Sequence, residues 1–170
     1  VCEYLWWFVE HKLPDADASA KVEASYLEIY NEKVRDLLNP AQDGVSLRVR
    51  ENPARGVYVD GLTSSTVRSF EDITSLLTDG LKARTIAATN MNSTSSRSHS
   101  VFSILFTLVE EMDGVKMQKT SKINLIDLAG SEDQRTAGSD SGQALVECSK
   151  INRSLSALGL CIAKLASSSM

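Results

Sequence analysis

Asn92-Ser93-Thr94-Ser95-Ser96-Arg97-Ser98-His99 and, about thirty residues on, Lys122-Ile123-Asn124-Leu125-Ile126-Asp127-Leu128-Ala129-Gly130-Ser131-Glu132 decide how this chain reads. The second stretch is an apolar run that ends in Asp127 and reaches Gly130 three residues later. A buried strand delivers a carboxylate to a Mg²⁺ shell, and a flexible backbone N–H to a terminal phosphate, in this way. The first stretch places hydroxyls and an arginine on a loop ahead of a strand, and hard cations and phosphates bind such groups. Together the two stretches read as a phosphate sensor.

The segment between them brings the two together. Residues 98–111 alternate, with Phe102, Ile104, Phe106 and Leu108 on one side, and Asp113-Gly114 is a two-residue hairpin signal leading into residues 115–126. The pattern predicts two long antiparallel strands in a central sheet, with Phe102 opposite Leu125 and Ser100 opposite Asp127. That register sets the hydroxyl-bearing loop beside the Asp-x-x-Gly loop at one end of the sheet, as a shared Mg²⁺–phosphate site requires.

Elsewhere, residues 2–12 (CEYLWWFVEHK) read as the end of a buried helix, with Trp6 and Trp7 in the core and residues 13–17 as its exit loop. Residues 21–30 are rich in β-branched and aromatic side chains and predict a strand. Asn31 then reads as the cap of a short helix over residues 32–38, ended by Asn39-Pro40. Residues 46–51 and 56–60 read as a surface hairpin around the turn Asn52-Pro53-Ala54-Arg55-Gly56. Ser69 and Asp72 form a capping signal for a helix over residues 70–84, with Phe70, Ile73, Leu76, Leu77 and Leu81 on its apolar face and Gly80 as a weak point. After a Gly/Ser-rich stretch, a helix over residues 143–166 carries Cys148, Ile151, Leu155, Leu158, Ile162 and Leu165 as a core-facing stripe.

The whole chain has 170 residues, 42% hydrophobic and 24% charged, which suits one globular domain with a real core. Its formal charge of −4 argues against nucleic acid as the main partner, because phosphate-binding surfaces carry a basic excess. Cys2, Cys148 and Cys161 have neither metal spacing nor an even count, so the reading is a reduced, cytosolic compartment. No apolar run is long enough to span a membrane, so no membrane contact is expected from this segment. A hydrolase based on His99 and nearby serines fails, because Gly138-Ser139-Asp140-Ser141-Gly142 puts Asp where a nucleophile elbow needs Ser.

Both quoted segments closely resemble the two nucleotide-sensing switches of the kinesin motor domain. Three further segments are similar to kinesin signatures: residues 26–38 (YLEIYNEKVRDLL), 87–92 (AATNMN) and 151–159 (INRSLSALG). Five segments in the right order leave little room for chance. The resemblance implies an α/β fold of the P-loop NTPase type, with a mainly mixed central sheet flanked by helices. Residues 1–170 would form the middle and C-terminal part of one motor domain. It also implies ATP hydrolysis coupled to movement along microtubules, ATP and Mg²⁺ as cofactors, and the cytoplasm and its cytoskeleton as the location.

By the same resemblance, Ser96 places a hydroxyl on Mg²⁺, Asp127 holds the metal shell through water, and the Gly130 backbone N–H senses the γ-phosphate. Ser95 and Asn92 surround the phosphate and the attacking water, and Arg97 with Glu132 forms the salt bridge that closes the two switches. The terminal helix and the loop before it would dock on the microtubule through Arg135, Lys150 and Arg153, although Lys150, Arg153 and Lys164 also suit an ordinary solvated face.

Two departures limit what is expected. No Gly-x-x-x-x-Gly-Lys-Ser/Thr occurs, so the 170 residues by themselves are not expected to hydrolyse ATP; a P-loop would precede Val1, and further motor elements would follow Met170. Asp133 follows Glu132 where kinesins usually carry Arg or Lys, leaving residues 133–170 with four basic side chains against three acidic. That reversal predicts weaker attraction to acidic tubulin, by no more than about 1 kcal/mol per exposed pair. A truncated or degenerate, non-catalytic kinesin-like module that binds microtubules is the alternative. Direction, cargo and dimerisation would be set by neck, tail and coiled-coil segments.

Overall fold

The computed structural model describes residues 2–12, 18–42, 44–53, 56–91, 97–112, 115–130 and 142–168. In chain order these form α1 (Cys2–Lys12), β1 (Ala18–Tyr30), β2 (Lys33–Asp36), a single 3₁₀ turn (Pro40–Gln42), β3 (Arg48–Asn52), β4 (Gly56–Asp60) and β5 (Ser65–Val67). The rest is α2 (Phe70–Met91), β6 (His99–Met112), β7 (Val115–Asp127) and α3 (Gly142–Ser168). The main sheet runs β2-β1-β6-β7, with β5 also on β1, while β3 and β4 make a separate two-stranded hairpin. Every pairing among the described residues is antiparallel, so the parallel component of a mixed sheet is not among them.

Alternation along the strands sets the core. Val22, Ala24 and Tyr26 of β1 lie opposite Phe106, Ile104 and Phe102 of β6, and all six are buried. The helices α1 and α2 cover this face with Trp6 and the fully buried Ile73. The predicted cap is present: the Asp72 N–H donates to Ser69 Oγ (3.1 Å), and Asp72 Oδ2 accepts from the Arg68 N–H (2.8 Å). Gly80 has a packing reason. Tyr26 lies directly on α2 at this point, a Cβ on Gly80 would run into its ring, and the ring in turn meets Phe102 edge-on with centroids 5.4 Å apart.

The β6–β7 register is the predicted one, with Phe102 opposite Leu125 and Ser100 opposite Asp127. Residues 113–114 lie outside the described set, but Met112 and Val115 pair directly on either side of them. The other edge of β7 is unpaired among the described residues and exposes Val115, Met117 and Ile126.

Several expectations are corrected. Residues 33–36 form strand β2 instead of a helix, because Asn31 (φ 54°) and Glu32 (φ 63°) both take the left-handed conformation of a tight two-residue hairpin turn. Val34 and Asp36 then turn inward, and Asp36 accepts from the Leu38 N–H (2.9 Å) and the Thr63 N–H (2.8 Å). Trp7 is surface, not core: it is 43% exposed and stacks between Tyr4 and His11. Leu81 is half-exposed, and α2 runs seven residues past the predicted end at Arg84, to Met91. The stripe of α3 is core only in part: Ile151 is buried, but Leu158, Ile162 and Leu165 are 40%, 59% and 70% exposed.

Candidate functional site

At one end of the sheet, pairing sets Glu28 of β1, Ser100 of β6 and Asp127 of β7 side by side in a cross-strand row. Each lies two residues from a core position (Tyr26, Phe102 and Leu125), so alternation puts the row on the face that α2 covers. Polar groups there need a partner, and α2 supplies Arg84, which follows Ile73, Leu77 and Gly80 at helical spacing. The guanidinium is only 6% exposed. Its Nη1 donates to Asp127 Oδ2 (2.8 Å) and Ser100 Oγ (3.3 Å), and its Nη2 donates to the Ser98 carbonyl (3.0 Å) and Ser98 Oγ (3.1 Å). Arg84 Nε lies 3.4 Å from Glu28 Oε1, and Glu28 Oε2 lies 3.3 Å from Arg35 Nη1. A fork of donors is what lets one buried cation satisfy three strands at once.

The opposite face of the same sheet end is held by His99, one residue out of phase with Ser100. Its Nδ1 accepts from the Ala129 N–H at 3.0 Å, so the ring proton sits on Nε2 and is donated to Ser154 Oγ at 2.7 Å. The Ser154 hydroxyl in turn donates a hydrogen bond to the Ile151 carbonyl of α3, also at 2.7 Å. In this tautomer the ring has no lone pair facing Ser154, so the pair is not a nucleophile and its base. Burial, and then the positive Arg84, hold the His99 pKa below its ordinary 6.5, against a smaller opposing pull from Asp127.

The 127–130 segment is therefore gripped from both faces. Arg84 holds Asp127 and His99 holds Ala129, with Gly130 next in the chain and exposed. The Asp127 side chain remains 69% exposed despite its ion pair. Arg97 borders a small cleft of about 40 Å³ with His99, Lys150, Ile151 and Ser154. A roomier cavity of about 370 Å³ lies beside the β1–β2 turn, lined by Tyr30, Lys33, Arg35 and Val45 among others. Its lining comes from the 26–38 motif and the turn after it, and includes none of the residues to which the sequence assigns a site role.

Among the predicted site residues, Asp127, Gly130 and Arg97 come to this one end of the sheet. Asn92, Ser95, Ser96, Glu132 and Arg135 lie outside the described residues, as does Asp133. Lys150 and Arg153 turn toward the chain's own β1–β2 turn: Lys150 Nζ donates to Asn31 Oδ1 (2.6 Å), and Arg153 Nη1 lies 3.5 Å from Glu32 Oε1. The reading of the motifs missed Arg84, Glu28 and the structural part played by His99. A signal for the first two was present, since a charged residue falls in the buried phase of a strand at Glu28 and of a helix at Arg84. Among the described residues there is no cluster of three or more metal-ligating side chains, and no helix is long and apolar enough to cross a membrane.

The family model of the kinesin motor domain matches residues 2–170. The mouse kinesin-like protein KIF13A is 55% identical over 148 residues, covering 86% of this chain and 8% of the relative. The kinesin-like protein unc-104 of Caenorhabditis elegans is 54% identical over 157 residues, covering 91% of this chain and 10% of the relative. Among solved structures, the chain matches a KIF14 dimer bound to AMP-PNP and in complex with a microtubule, with a TM-score of 0.78 at 45% identity over 93% of this chain and 45% of that one. It matches a fast kinesin with a TM-score of 0.83 at 41% identity over 99% of this chain and 46% of that one. The chain thus spans less than half of the solved motors and about a tenth of these curated relatives. The fold is the α/β architecture of those motors.

Proposed function

The chain belongs to the kinesin motor domain family, and on that premise we propose that it supplies the nucleotide-sensing switches of a cytoplasmic, microtubule-based, ATP-driven motor. What carries this reading is the two-sided grip on the 127–130 segment, by Arg84 from one face and His99 from the other. A loop that reports one phosphate group must present its carboxylate and its backbone N–H at fixed positions, and anchors on both sides do that.

The donor set suits a Mg²⁺–nucleotide: a solvent-facing carboxylate at Asp127, an exposed residue at Gly130, and, in the sequence just before Arg97, the hydroxyls that include Ser96. Asp127 would hold the metal shell through water with Ser96 on the ion, and Gly130 would offer its N–H to the terminal phosphate. When bound, the ion neutralises charge on the phosphates. Asn92 and Ser95 would position the attacking water, and Arg97 and Glu132 would latch the two switches through a pair of parallel hydrogen bonds. The chain has no Gly-x-x-x-x-Gly-Lys-Ser/Thr, so in this proposal hydrolysis also needs a P-loop from elsewhere in the motor.

The microtubule is the proposed partner, met by the loop before α3 and by α3 itself through Arg135, Lys150 and Arg153. The last two would exchange their present partners, Asn31 and Glu32, for acidic groups on tubulin. The test is steady-state ATPase, with and without microtubules, of a motor in which this segment is completed by the flanking motor sequences of the unc-104 relative. The reading predicts stimulation by microtubules and its loss in Glu132→Ala. Unchanged stimulation in that variant would refute the latch.

A further inference from the structure

Ala129 lies between the two residues that the proposed sensor uses, yet its N–H is already committed, 3.0 Å from His99 Nδ1. From there the hydrogen-bonded path continues through the imidazole to Ser154 Oγ and on to the Ile151 carbonyl, inside the first half of α3. Both ends are shielded: His99 is 8% exposed, Ala129 5% and Ile151 6%. The Ala129–His99 bond is buried, and the two bonds of Ser154 are short and half-buried, so breaking the first leaves a desolvated donor unsatisfied.

We infer that His99 is a positioning residue that couples the 127–130 segment to α3, so that a displacement of the loop is carried into the helix through the imidazole and Ser154. The ring suits this task because it is rigid, accepts on one side and donates on the other, so it transmits position without having to change protonation. The path joins the segment to α3 through three consecutive hydrogen bonds. The consequence for a motor, that the state of the phosphate site reaches the helix proposed to face the microtubule, rests on the proposed function above. The coupling itself does not.

The test reads the link without nucleotide. Hydrogen exchange of the peptide spanning residues 126–130 is followed by mass spectrometry in the unaltered chain, in Ser154→Ala, in His99→Ala and in the double variant, with Ser156→Ala on the exposed side of α3 as a control. Ser154→Ala, although on another element, should speed exchange of the Ala129 amide on the order of fivefold, the worth of one neutral hydrogen bond. It should add nothing once His99 is gone, and Ser156→Ala should leave the peptide unchanged. If His99→Ala does not fold by circular dichroism, the cycle is run with His99→Phe, which keeps a ring and loses both polar contacts. An equal effect of Ser154→Ala with and without His99, or no effect at all, overturns the inference. Repeating the cycle with Mg·ATP analogue on the completed motor separates the two claims: coupling without a nucleotide response would sink the sensor and leave the link standing.

Discussion

Arg84 on α2 donates a 2.8 Å hydrogen bond to Asp127 at the end of β7, across 43 residues of sequence. The two differ sharply in environment, since the Arg84 side chain is 6% exposed and that of Asp127 is 69% exposed. Arg84 is thus a buried hub serving Glu28, Ser98, Ser100 and Asp127, while Asp127 is a partly tethered carboxylate that still faces solvent.

That asymmetry predicts unequal losses. Arg84→Ala leaves Glu28 and two serines without their shared donor in a buried setting, and should cost about 3 kcal/mol of unfolding free energy. Asp127→Ala removes an exposed partner and should cost about 1 kcal/mol or less. Urea titrations of the two variants check the order. Equal losses would contradict the hub.

Gly80→Ala should destabilise, although alanine favours helices over glycine by about 1 kcal/mol. The added methyl meets the Tyr26 ring, which is held in turn by Phe102, so the core must shift to admit it. Overpacking of this kind costs about 1–3 kcal/mol. Thermal melts of Gly80→Ala should show a lower midpoint, whereas a raised midpoint would mean that the close approach is soft.

His99 predicts a pH dependence whose sign follows from its lowered pKa. The unfolded chain takes up the His99 proton near pH 6.5, while the folded chain resists it because of burial and Arg84. The charged groups around the ring are Arg97, Glu32 and Lys150 at the cleft, with Arg84 of α2 and Asp127 of β7 acting on it from the other face of the sheet. The stabilising contribution of neutral His99 is fully present above pH 6.5 and is lost as pH falls through 6.5 toward the folded value, with a slope of at most about 1.4 kcal/mol per pH unit. Urea midpoints at pH 7.5 and 5.5 should therefore fall further for the unaltered chain than for His99→Gln. Parallel falls would exclude the histidine as the cause.

What was legible in the sequence follows from how local the controlling physics is. The Ser100–Asp127 pairing could be read because one two-residue turn and strict alternation leave a single register. The capped start of α2 was visible for the same reason, as Ser69 and Asp72 act within one turn. The β2 hairpin was hidden, because its turn places Glu32, a residue with no preference for φ > 0, in the left-handed region. Periodicity showed that α3 has an apolar stripe but could not show what covers it, and past Ile151 the stripe runs into solvent. At the site, motif spacing located Asp127 and Gly130. The reach of Arg84 from α2 to three strands depends on tertiary placement that no spacing reveals.

The central claim is that the 127–130 segment reports a terminal phosphate. Its most direct measurement is hydrogen exchange of that segment in the completed motor, compared between a non-hydrolysable ATP analogue and ADP. The account predicts slower exchange at Gly130 with the ATP analogue, as its N–H takes a phosphate oxygen, and a return to the faster rate with ADP. Identical exchange in the two nucleotide states, with both nucleotides shown to be bound, would contradict it.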